Sequence, residues 1–437
     1  MKMSRKSVYF TISVSRIDPR WASLFLFSVY ISILNCSLST AFGEGFRDAT
    51  IGTSDLGRSG GRIAQVDDAT AVQNNPANLM DLTNGMAEFD PSVIYDSVNF
   101  QSPNGQTATT MHPIKILPDF FVAAPIIKDK LAFGFGVTVP FGLANQWDTS
   151  SQAFSRPNGV LGTAAANFGK LTTYNFNPSL AFKVSPSLQI GVGLDVMYSE
   201  LELRQYLSPF LPNFEAHASG DGVGAGGNLG LTWSITKHQR IAFTYRSTMT
   251  VDYSGTADLE YSGAPSNPTT SFASQIKFPN MFSAGYGIDL TDSIRLESDF
   301  EWIQFSQFKN LPINTGTASS PFGPVNLTQT VPEAWHNTFT LGLGGDWNFA
   351  SHWVARAGYQ YFESPVPNST FSPTIPDANQ NVVTMGIGYH GQNVSLEFAY
   401  GWDFYNDRNI TSDINPALNG KYTFDVQLFS LAFRYGF

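Results

Sequence analysis

Large apolar residues alternate with small or polar residues at the C-terminal end of the chain. Phe429, Leu431, Phe433, Tyr435 and Phe437 fall on one face of this segment. A period of two with one apolar face predicts a half-buried β-strand. A terminal aromatic residue on such a strand is typical of outer-membrane β-barrels, although an edge strand of a soluble sheet shows the same pattern. The rest of the chain must distinguish these two interpretations.

The same alternation recurs along the whole chain, for example in residues 131–139, 188–198, 282–290 and 394–402. The apolar face is large and often aromatic, whereas the other face is mostly Gly, Ala, Ser, Thr or charged. A soluble barrel would place the large residues inside. A membrane barrel exposes them to lipid and keeps the small or polar residues in its lumen. The recurring pattern therefore favours a membrane barrel.

Short and long connections alternate between these segments. Six connections are tight turns, at residues 128–130, 185–187, 237–239, 291–293, 350–352 and 391–393. The connections between them are rich in Pro, Asn, Ser and Gly, at roughly 141–170, 205–221, 255–272, 307–332, 364–378 and 407–421. Six hairpins, a strand at about 85–99 and the terminal strand make fourteen, an even number with both ends on the short-turn side. The sequence predicts an all-β, 14-stranded antiparallel transmembrane β-barrel over residues 85–437.

Composition agrees with a barrel and limits its partners. Only 14% of the residues are charged, whereas soluble domains average about 25%. No apolar run of 18 residues follows the N-terminal region, so a helical membrane span is not predicted there. Without residues 1–41 the chain carries 20 basic and 34 acidic residues, a net charge of −14. Such an acidic chain is not expected to bind nucleic acid.

The N-terminal region has the pattern of a signal peptide over residues 1–41. Basic residues precede a mostly apolar stretch, and small residues lead up to Ala41, where we place the cleavage site. A lipoprotein signal ending at Cys36 is the alternative. Cys36 is the only cysteine, so cleavage would leave a chain without disulfide or thiol chemistry.

Residues 42–84 do not alternate and are rich in Gly, Asp and Asn. One interpretation is a disordered tail. The other is a plug, because the small side chains of fourteen strands leave a lumen that they cannot fill. The scattered apolar residues of this segment could pack inside such a lumen.

Motifs in two regions carry a family resemblance. The first set is Gly45-Phe46, Gly57-Arg58, Asp67-Asp68-Ala69 and Asn75-Pro76-Ala77-Asn78-Leu79. The second runs from Trp335 through Gly342, Trp353, Arg356, Gly358, Ser364-Pro365-Val366-Pro367 and Ile375-Pro376-Asp377 to Gly386 and Tyr389. With these motifs the chain resembles the FadL/TodX-type outer-membrane transporters of long-chain fatty acids and other hydrophobic compounds, over about residues 42–437.

The resemblance implies a barrel plugged by an N-terminal hatch over residues 42–84, with Asn75, Pro76 and Ala77 as the hatch motif. It also implies a ligand pocket beside the hatch and a lateral exit at a kink of the third strand. Gly136, Pro140 and Gly142 lie there. Pro cannot donate to a strand ladder and Gly tolerates unusual backbone, so a break is plausible at this point. The alternative is that Pro140 simply ends a strand.

Hydrophobic transport requires apolar surface and, for fatty acids, a cation or hydrogen-bond donor for the carboxylate. Phe210, Leu211 and Phe214 in a long loop are candidates for the lip of an entry groove, or else pack against their own loop. The candidate partners of a head group are Arg204, Arg246, Lys277, Lys309 and His336. Charged residues predicted to face the lumen favour an ion-pair network instead: Asp195, Arg295, Glu297, Asp299, Glu301, Asp346, Arg356, Glu397 and Arg434.

The sequence therefore predicts a protein of the Gram-negative outer membrane that takes up fatty acids or hydrocarbons. Its expected partners are these hydrophobic small molecules, outer-membrane lipid and lipopolysaccharide, and the barrel-assembly machinery, reached through the C-terminal strand. We expect no cofactor, no metal site and no catalytic residues, because no HExxH, GxSxG or Cys/His cluster accompanies the six histidines. A diffusion porin and a surface adhesin or phage receptor are the alternative functions.

Overall fold

Fourteen antiparallel strands form a closed wall in the computed structural model of the chain. The structure describes residues 44–48, 51–211, 213–261, 267–320 and 323–437, so the predicted signal peptide and its cleavage site lie outside the described residues. The first strands are β1 (Met86–Gln101), β2 (Thr107–Met111 and Ile114–Ile127), β3 (Leu131–Thr138 and Gly142–Trp147), β4 (Phe168–Ser185), β5 (Leu188–Tyr206), β6 (Glu215–Ser234) and β7 (Gln239–Arg246 and Met249–Glu260).

The remaining strands complete the wall. They are β8 (Thr269–Phe278 and Met281–Thr291), β9 (Ile294–Ile303 and Asn310–Thr315), β10 (Gln329–Pro332 and Thr338–Ala350), β11 (Trp353–Phe362), β12 (Gln380–His390), β13 (Val394–Tyr405) and β14 (Gly420–Gly436). Strand β14 pairs with β1 from Met86↔Gly436 to Gln101↔Lys421, which closes the barrel. The predicted 14-stranded antiparallel barrel is confirmed.

The two faces of the wall differ as the alternation predicted. On β14, Phe429, Leu431, Phe433 and Tyr435 are exposed, whereas Ala432 between them is buried. Large apolar side chains are exposed in the same way on the other strands. Because the outside is apolar and the inside is small or polar, the wall suits a lipid environment. Among the described residues, none of the helices is long and apolar enough to cross a membrane.

Two of the predicted long loops are shorter than expected. Strands β5 and β6 stay paired as far as Tyr206↔Glu215, so residues 215–221 belong to a strand and not to a loop. Strands β7 and β8 likewise pair as far as Asp258↔Thr269. Gly and Ser residues in these segments resemble loop signals, but here they alternate with residues that pair in register with the neighbouring strand. The strands therefore extend further towards the long-loop side.

The remaining elements are short. They are α1 (Thr53–Gly57), α2 (Ala71–Asn74), the 3₁₀ helices Pro76–Asp81, Phe305–Gln307, Asn368–Thr370 and Pro416–Leu418, a loop hairpin of Thr317–Ser320 and Gly323–Asn326, and the strand Arg408–Ile410. The residues of α1 are all buried, and α1 contacts strands β11 to β14 and β1. The 3₁₀ helix Pro76–Asp81 contacts β2 to β6 on the other side. The segment that precedes β1 therefore touches inward faces on opposite sides of the wall.

Candidate binding cavity and wall opening

An apolar cavity of about 340 Å³ lies among the N-terminal segment, the inward faces of the wall and the long loops. Ligand pockets for small molecules start at roughly 300 Å³. Apolar side chains dominate its lining and come from many strands: Phe46, Leu143, Leu171, Leu201, Leu203, Ile276, Phe308, Leu311, Phe371, Ile375 and Leu418. Their convergence gives one continuous hydrophobic surface inside an otherwise polar lumen.

Phe46 forms the base of this cavity. Its buried ring packs in edge-to-face contact with Phe278, Phe305 and Phe308, at centroid distances of 5.4–5.8 Å. The preceding residue, Gly45, has a φ of +65°, and a Cβ atom there would lie 2.5 Å from the ring of Trp335. Only glycine fits this position without displacing Trp335. The Gly45-Phe46 motif therefore places an aromatic ring between the cavity and the lumen below it.

The cavity has a charged side near the long loops. Arg204 and His217 face each other across the β5–β6 pair and both line the cavity. Each contacts the same carboxylate oxygen of Glu202, at 2.6 Å from Arg204 and 2.9 Å from His217. Nδ1 of His217 also lies 3.7 Å from the carboxylate of Glu260, so two basic and two acidic groups meet on this side of the cavity.

Glu333 is a second polar group of the cavity wall, and it has no cation beside it. Its side chain is only 2% exposed, and Oε2 accepts a hydrogen bond of 3.1 Å from the indole N–H of Trp335. Among the described residues it forms no ion pair. Burial raises the pKa of Glu333 from 4.5 to about 8, so the carboxyl group is largely protonated at neutral pH.

The third strand of the wall is interrupted beside Phe46. Pairing of β3 with β4 stops at Thr138↔Asn175 and resumes at Gly142↔Thr172. In between, the chain pairs with the N-terminal segment: the N–H of Asp48 donates to Pro140 at 3.0 Å, and the N–H of Gly142 donates to Phe46 at 2.7 Å. The ladder between β3 and β4 is thus interrupted around Pro140, where the N-terminal segment pairs with the chain instead.

The interruption leaves a gap between β2 and β3. The two strands pair at Met111↔Gln146 and again at Phe120↔Val137, so residues 112–119 and 138–145 have no ladder between them. Side chains occupy this gap: the N–H of Val139 donates to Asp119 at 3.1 Å, and Leu117 and Val139 belong to one buried apolar cluster. The wall therefore lacks backbone pairing between β2 and β3 beside Phe46.

Ion pairs hold the N-terminal segment to the wall. Asp68 contacts Arg434 of β14 at 2.7 Å, and Arg434 also pairs with Glu88 and Glu397. On another side Arg58 contacts Asp346 of β10 at 2.9 Å.

Backbone groups of the segment are bound as well. The N–H groups of residues 63, 64 and 65 all donate to the carboxylate of Glu297 on β9. Arg356 links Asp346 to Glu397 and so joins the contacts of Arg58 and Arg434 into one network. Two other predicted luminal charges form separate ion pairs: Glu301 pairs with Arg47 and Arg62, and Asp195 pairs with Arg246.

The Asn75-Pro76-Ala77 motif packs against the wall where the wall has no side chains. A Cβ atom on Gly191 of β5 would lie 2.3 Å from the N atom of Ala77, and one on Gly230 of β6 would lie 2.1 Å from Asn75 Oδ1. Asn75 also caps the 3₁₀ helix and donates to Thr232 at 2.9 Å. The motif therefore holds the segment against β5 and β6.

The structure separates the candidate head-group residues. Arg204 lines the cavity, whereas Arg246 lies below it and pairs with Asp195. Lys277, Lys309 and His336 are exposed and do not line the cavity. The sequence could not make this distinction, because strand alternation indicates the face of a residue but not its depth in the lumen.

The loop residues Phe210, Leu211 and Phe214 do not line the cavity either. Phe210 is 80% exposed, while Phe214 packs against Tyr261. These residues are available on the outer surface, but the structure does not place them at a groove. Among the titratable residues of the cavity lining, sequence reasoning missed His217, Glu333 and Asp413. The extension of β6 reveals His217, and the apolar surroundings of Trp335 reveal Glu333.

Comparison of the sequence with known proteins shows which family the chain belongs to. Residues 34–437 match the family described as "Outer membrane protein transport protein (OMPP1/FadL/TodX)". The chain belongs to this family. Among its relatives, the long-chain fatty acid transport protein of Escherichia coli K12 is 25% identical over 91% of this chain and 95% of its own length. That of Salmonella typhi is 24% identical over the same shares.

Solved structures of the family share the fold. A FadL homologue from Pseudomonas aeruginosa superposes with a TM-score of 0.75 and 22% identity, covering 90% of this chain and 99% of its own. The toluene transporter TodX of Pseudomonas putida gives 0.73 and 18% identity, covering 89% and 99%. The family consists of outer-membrane transport proteins, which agrees with the predicted location and with the prediction that the chain is not an enzyme.

Proposed function

We propose that the protein takes up long-chain fatty acids or other hydrophobic compounds across the outer membrane, by binding them in the apolar cavity. The cavity on the base formed by Phe46 carries this proposal. Transfer of an alkyl chain from water to such a surface is favourable by roughly 25 cal/mol for each Å² buried. The names of the relatives, which are fatty acid and toluene transporters, support the same class of substrate.

The path out of the cavity leads through the wall. Residues 42–84 act as a hatch, residues 85–437 as the barrel, and residues 1–41 as a signal peptide. A shift of Phe46 and Asp48 would release their bonds to Gly142 and Pro140 and free the cavity base towards the gap between β2 and β3. The substrate then leaves sideways, without crossing the charged contacts further down the lumen.

A pair of alanine substitutions on one strand tests the proposal. Ala216 of β6 lines the cavity, whereas Ala225 on the same strand is exposed on the outer face. We expect Ala216→Phe to fill the cavity and to reduce uptake of a radiolabelled long-chain fatty acid several-fold in cells without another transporter. Ala225→Phe should leave uptake unchanged. Equal uptake by both variants, at equal amounts of folded protein, would exclude the cavity as the binding site.

The C-terminal strand carries a second proposed role, in assembly. The N–H of Phe437 donates to Gly85 at 2.9 Å, and its ring covers the Cα of Gly85, while the side chain remains 63% exposed. We infer that the barrel-assembly machinery binds this exposed terminal aromatic residue before the barrel closes. The assembled outer surface would then contact lipid and lipopolysaccharide. Phe437→Ala should reduce the amount of assembled barrel, as measured in isolated outer membranes.

A further inference from the structure

Glu333 and Asp413 are the buried carboxyl groups of the cavity lining that form no ion pair among the described residues. Asp413 is bound within its own loop, where Oδ1 accepts a hydrogen bond of 2.7 Å from the N–H of Asn415. The partly buried Glu202 faces Arg204 and His217, and the buried Glu44 pairs with Arg47. Glu333 has no basic partner among the described residues, although it is almost completely buried in the cavity wall. An isolated buried carboxylate is very costly, so such a group is retained in its neutral form. A neutral carboxyl group has a property that a carboxylate lacks: it donates a hydrogen bond.

The contacts of Glu333 determine where that proton lies. The indole N–H of Trp335 donates to Oε2, so Oε2 acts as an acceptor. The backbone N–H and C=O of Glu333 are engaged as well, with Lys309 and Thr370. No described residue forms a hydrogen bond with Oε1. The proton of the neutral acid therefore belongs on Oε1, the oxygen that is left for the cavity.

We propose that Glu333 is the residue that orients the ligand in the cavity, by donating a hydrogen bond to a carbonyl or carboxyl oxygen at the end of an alkyl chain. This proposal rests on the function proposed above and narrows it, because it favours oxygen-bearing ligands such as fatty acids or their esters over pure hydrocarbons. A hydrocarbon would leave the donor unpaired, whereas an acid or ester oxygen satisfies it.

The surroundings of Glu333 explain why one donor can decide between ligands. Phe46, Phe308 and Phe371 line the same cavity and offer no hydrogen bonds. Arg204, His217 and Asp413 are the titratable side chains besides Glu333 among the described residues of the lining. A site built to pair with a polar group of the substrate rejects the analogue that lacks it, because the buried group is then unsatisfied.

The test compares two ligands of equal length on purified protein in lipid nanodiscs: a long-chain fatty acid methyl ester and the matching alkane. The ester accepts hydrogen bonds but does not titrate. Glu333→Gln keeps a donor, since its amide oxygen can take the Trp335 bond and leave the N–H₂ for the cavity. Glu333→Met removes the donor and keeps similar volume. The measured quantity is the ratio of ester affinity to alkane affinity in each protein, by competition with a radiolabelled fatty acid.

We expect this ratio to be similar in the wild-type protein and in Glu333→Gln, and to fall by about twofold to tenfold in Glu333→Met. In the wild-type protein the ester should also bind more weakly at about pH 10 than at about pH 6, because an ionised Glu333 no longer donates. The Gln variant should not show this pH effect. Alkane binding in all three proteins controls for folding and for Arg204, His217 and Asp413.

Two outcomes would overturn the proposal. An unchanged ratio in Glu333→Met would show that Glu333 does not contact the ligand head group. An equal pH effect in the wild-type protein and in Glu333→Gln would assign the titration to another group. Absence of alkane and ester binding in the wild-type protein is a different result, because it would overturn the proposed function itself together with this inference.

Discussion

At the scale of single residues, the buried charges of the lumen are the groups most sensitive to substitution. Arg434 is 5% exposed and contacts Asp68, Glu88 and Glu397. Loss of one partner from such a buried cluster typically costs about 3–5 kcal/mol, because the remaining charges are left uncompensated. We expect Arg434→Met to lower the temperature at which the folded barrel loses its fast mobility on a denaturing gel.

Arg204→Met is the matched control for that substitution. The side chain of Arg204 is 41% exposed and pairs with Glu202. Exposed ion pairs contribute about 1 kcal/mol or less. The gel transition of Arg204→Met should therefore stay close to that of the wild-type protein. If both arginine variants shift equally, burial of the Arg434 network has no special importance for stability.

The raised pKa of Glu333 predicts that the stability of the folded protein depends on pH. The unfolded chain ionises this carboxyl near pH 4.5, whereas the folded chain keeps it protonated up to about pH 8. The resulting stability is complete below pH 4.5 and is lost as the pH rises through about 8. Relative to Glu333→Gln, the wild-type free energy of unfolding should fall across this window, by on the order of 1 kcal/mol per pH unit. The free energy of unfolding is measured by urea at several pH values. If it changes with pH in the same way in both proteins, the pKa of Glu333 is not raised.

The sequence predicts which face of the wall a residue lies on, but not which residues of distant strands it contacts. The inward charge of Arg434 and Arg356 follows from alternation alone, and both join the luminal network. Arg246 was predicted as a head-group partner, and in the structure it pairs with Asp195 of β5 and does not line the cavity. Contact between side chains of distant strands depends on register and depth, which one sequence does not encode locally.

At the scale of elements, the fit of the 3₁₀ helix Pro76–Asp81 against β6 depends on one missing side chain. A Cβ atom on Gly230 would collide with Asn75, which is fixed by its bonds to Thr232 and Ile63. We expect Gly230→Ala to destabilise the folded barrel by about 1–3 kcal/mol. The measurement is the urea concentration at half-unfolding in lipid vesicles.

Gly227 on the same strand provides the control. A Cβ atom there would meet only the carbonyl oxygen of Gly193, at 3.4 Å. Gly227→Ala should therefore have little effect, or stabilise slightly because alanine restricts the unfolded chain. Equal destabilisation by the two substitutions would indicate a general intolerance of β6 to side chains, and not a contact with the Asn-Pro-Ala motif.

The number and order of the strands could be predicted because each hairpin leaves a local signal of alternation and turn residues. Pro140 lies where the pairing of β3 with β4 is interrupted, and a proline, which cannot donate to a strand ladder, is the local signal there. The path of residues 44–84 was not predictable from periodicity, since this segment has only short helices and is held by contacts with strands far away in sequence. Arg58 and Asp346, for example, are 288 positions apart.

At the scale of the whole molecule, the wall and the N-terminal segment have separate roles: the wall forms the closed barrel, and the segment fills its lumen. Backbone pairing of the strands, including β1 with β14, closes the barrel without any residue of the segment. The segment contacts inward faces on opposite sides of the wall. We therefore expect a variant that lacks residues 42–84 to fold and insert, but to conduct small ions across planar bilayers, because its polar lumen is then filled with water. Saturable uptake of a long-chain fatty acid should be lost in the same variant.

Phe46→Ala separates the cavity base from the rest of the segment. This substitution removes the ring beneath the cavity but keeps Arg58 on Asp346 and Asp68 on Arg434. Its conductance should therefore stay low, like that of the wild-type protein, while its affinity for the fatty acid falls because the apolar base is lost. High conductance in Phe46→Ala would mean that the ring alone seals the lumen. Unchanged conductance and uptake in the variant without residues 42–84 would show that the segment neither closes the barrel nor takes part in transport.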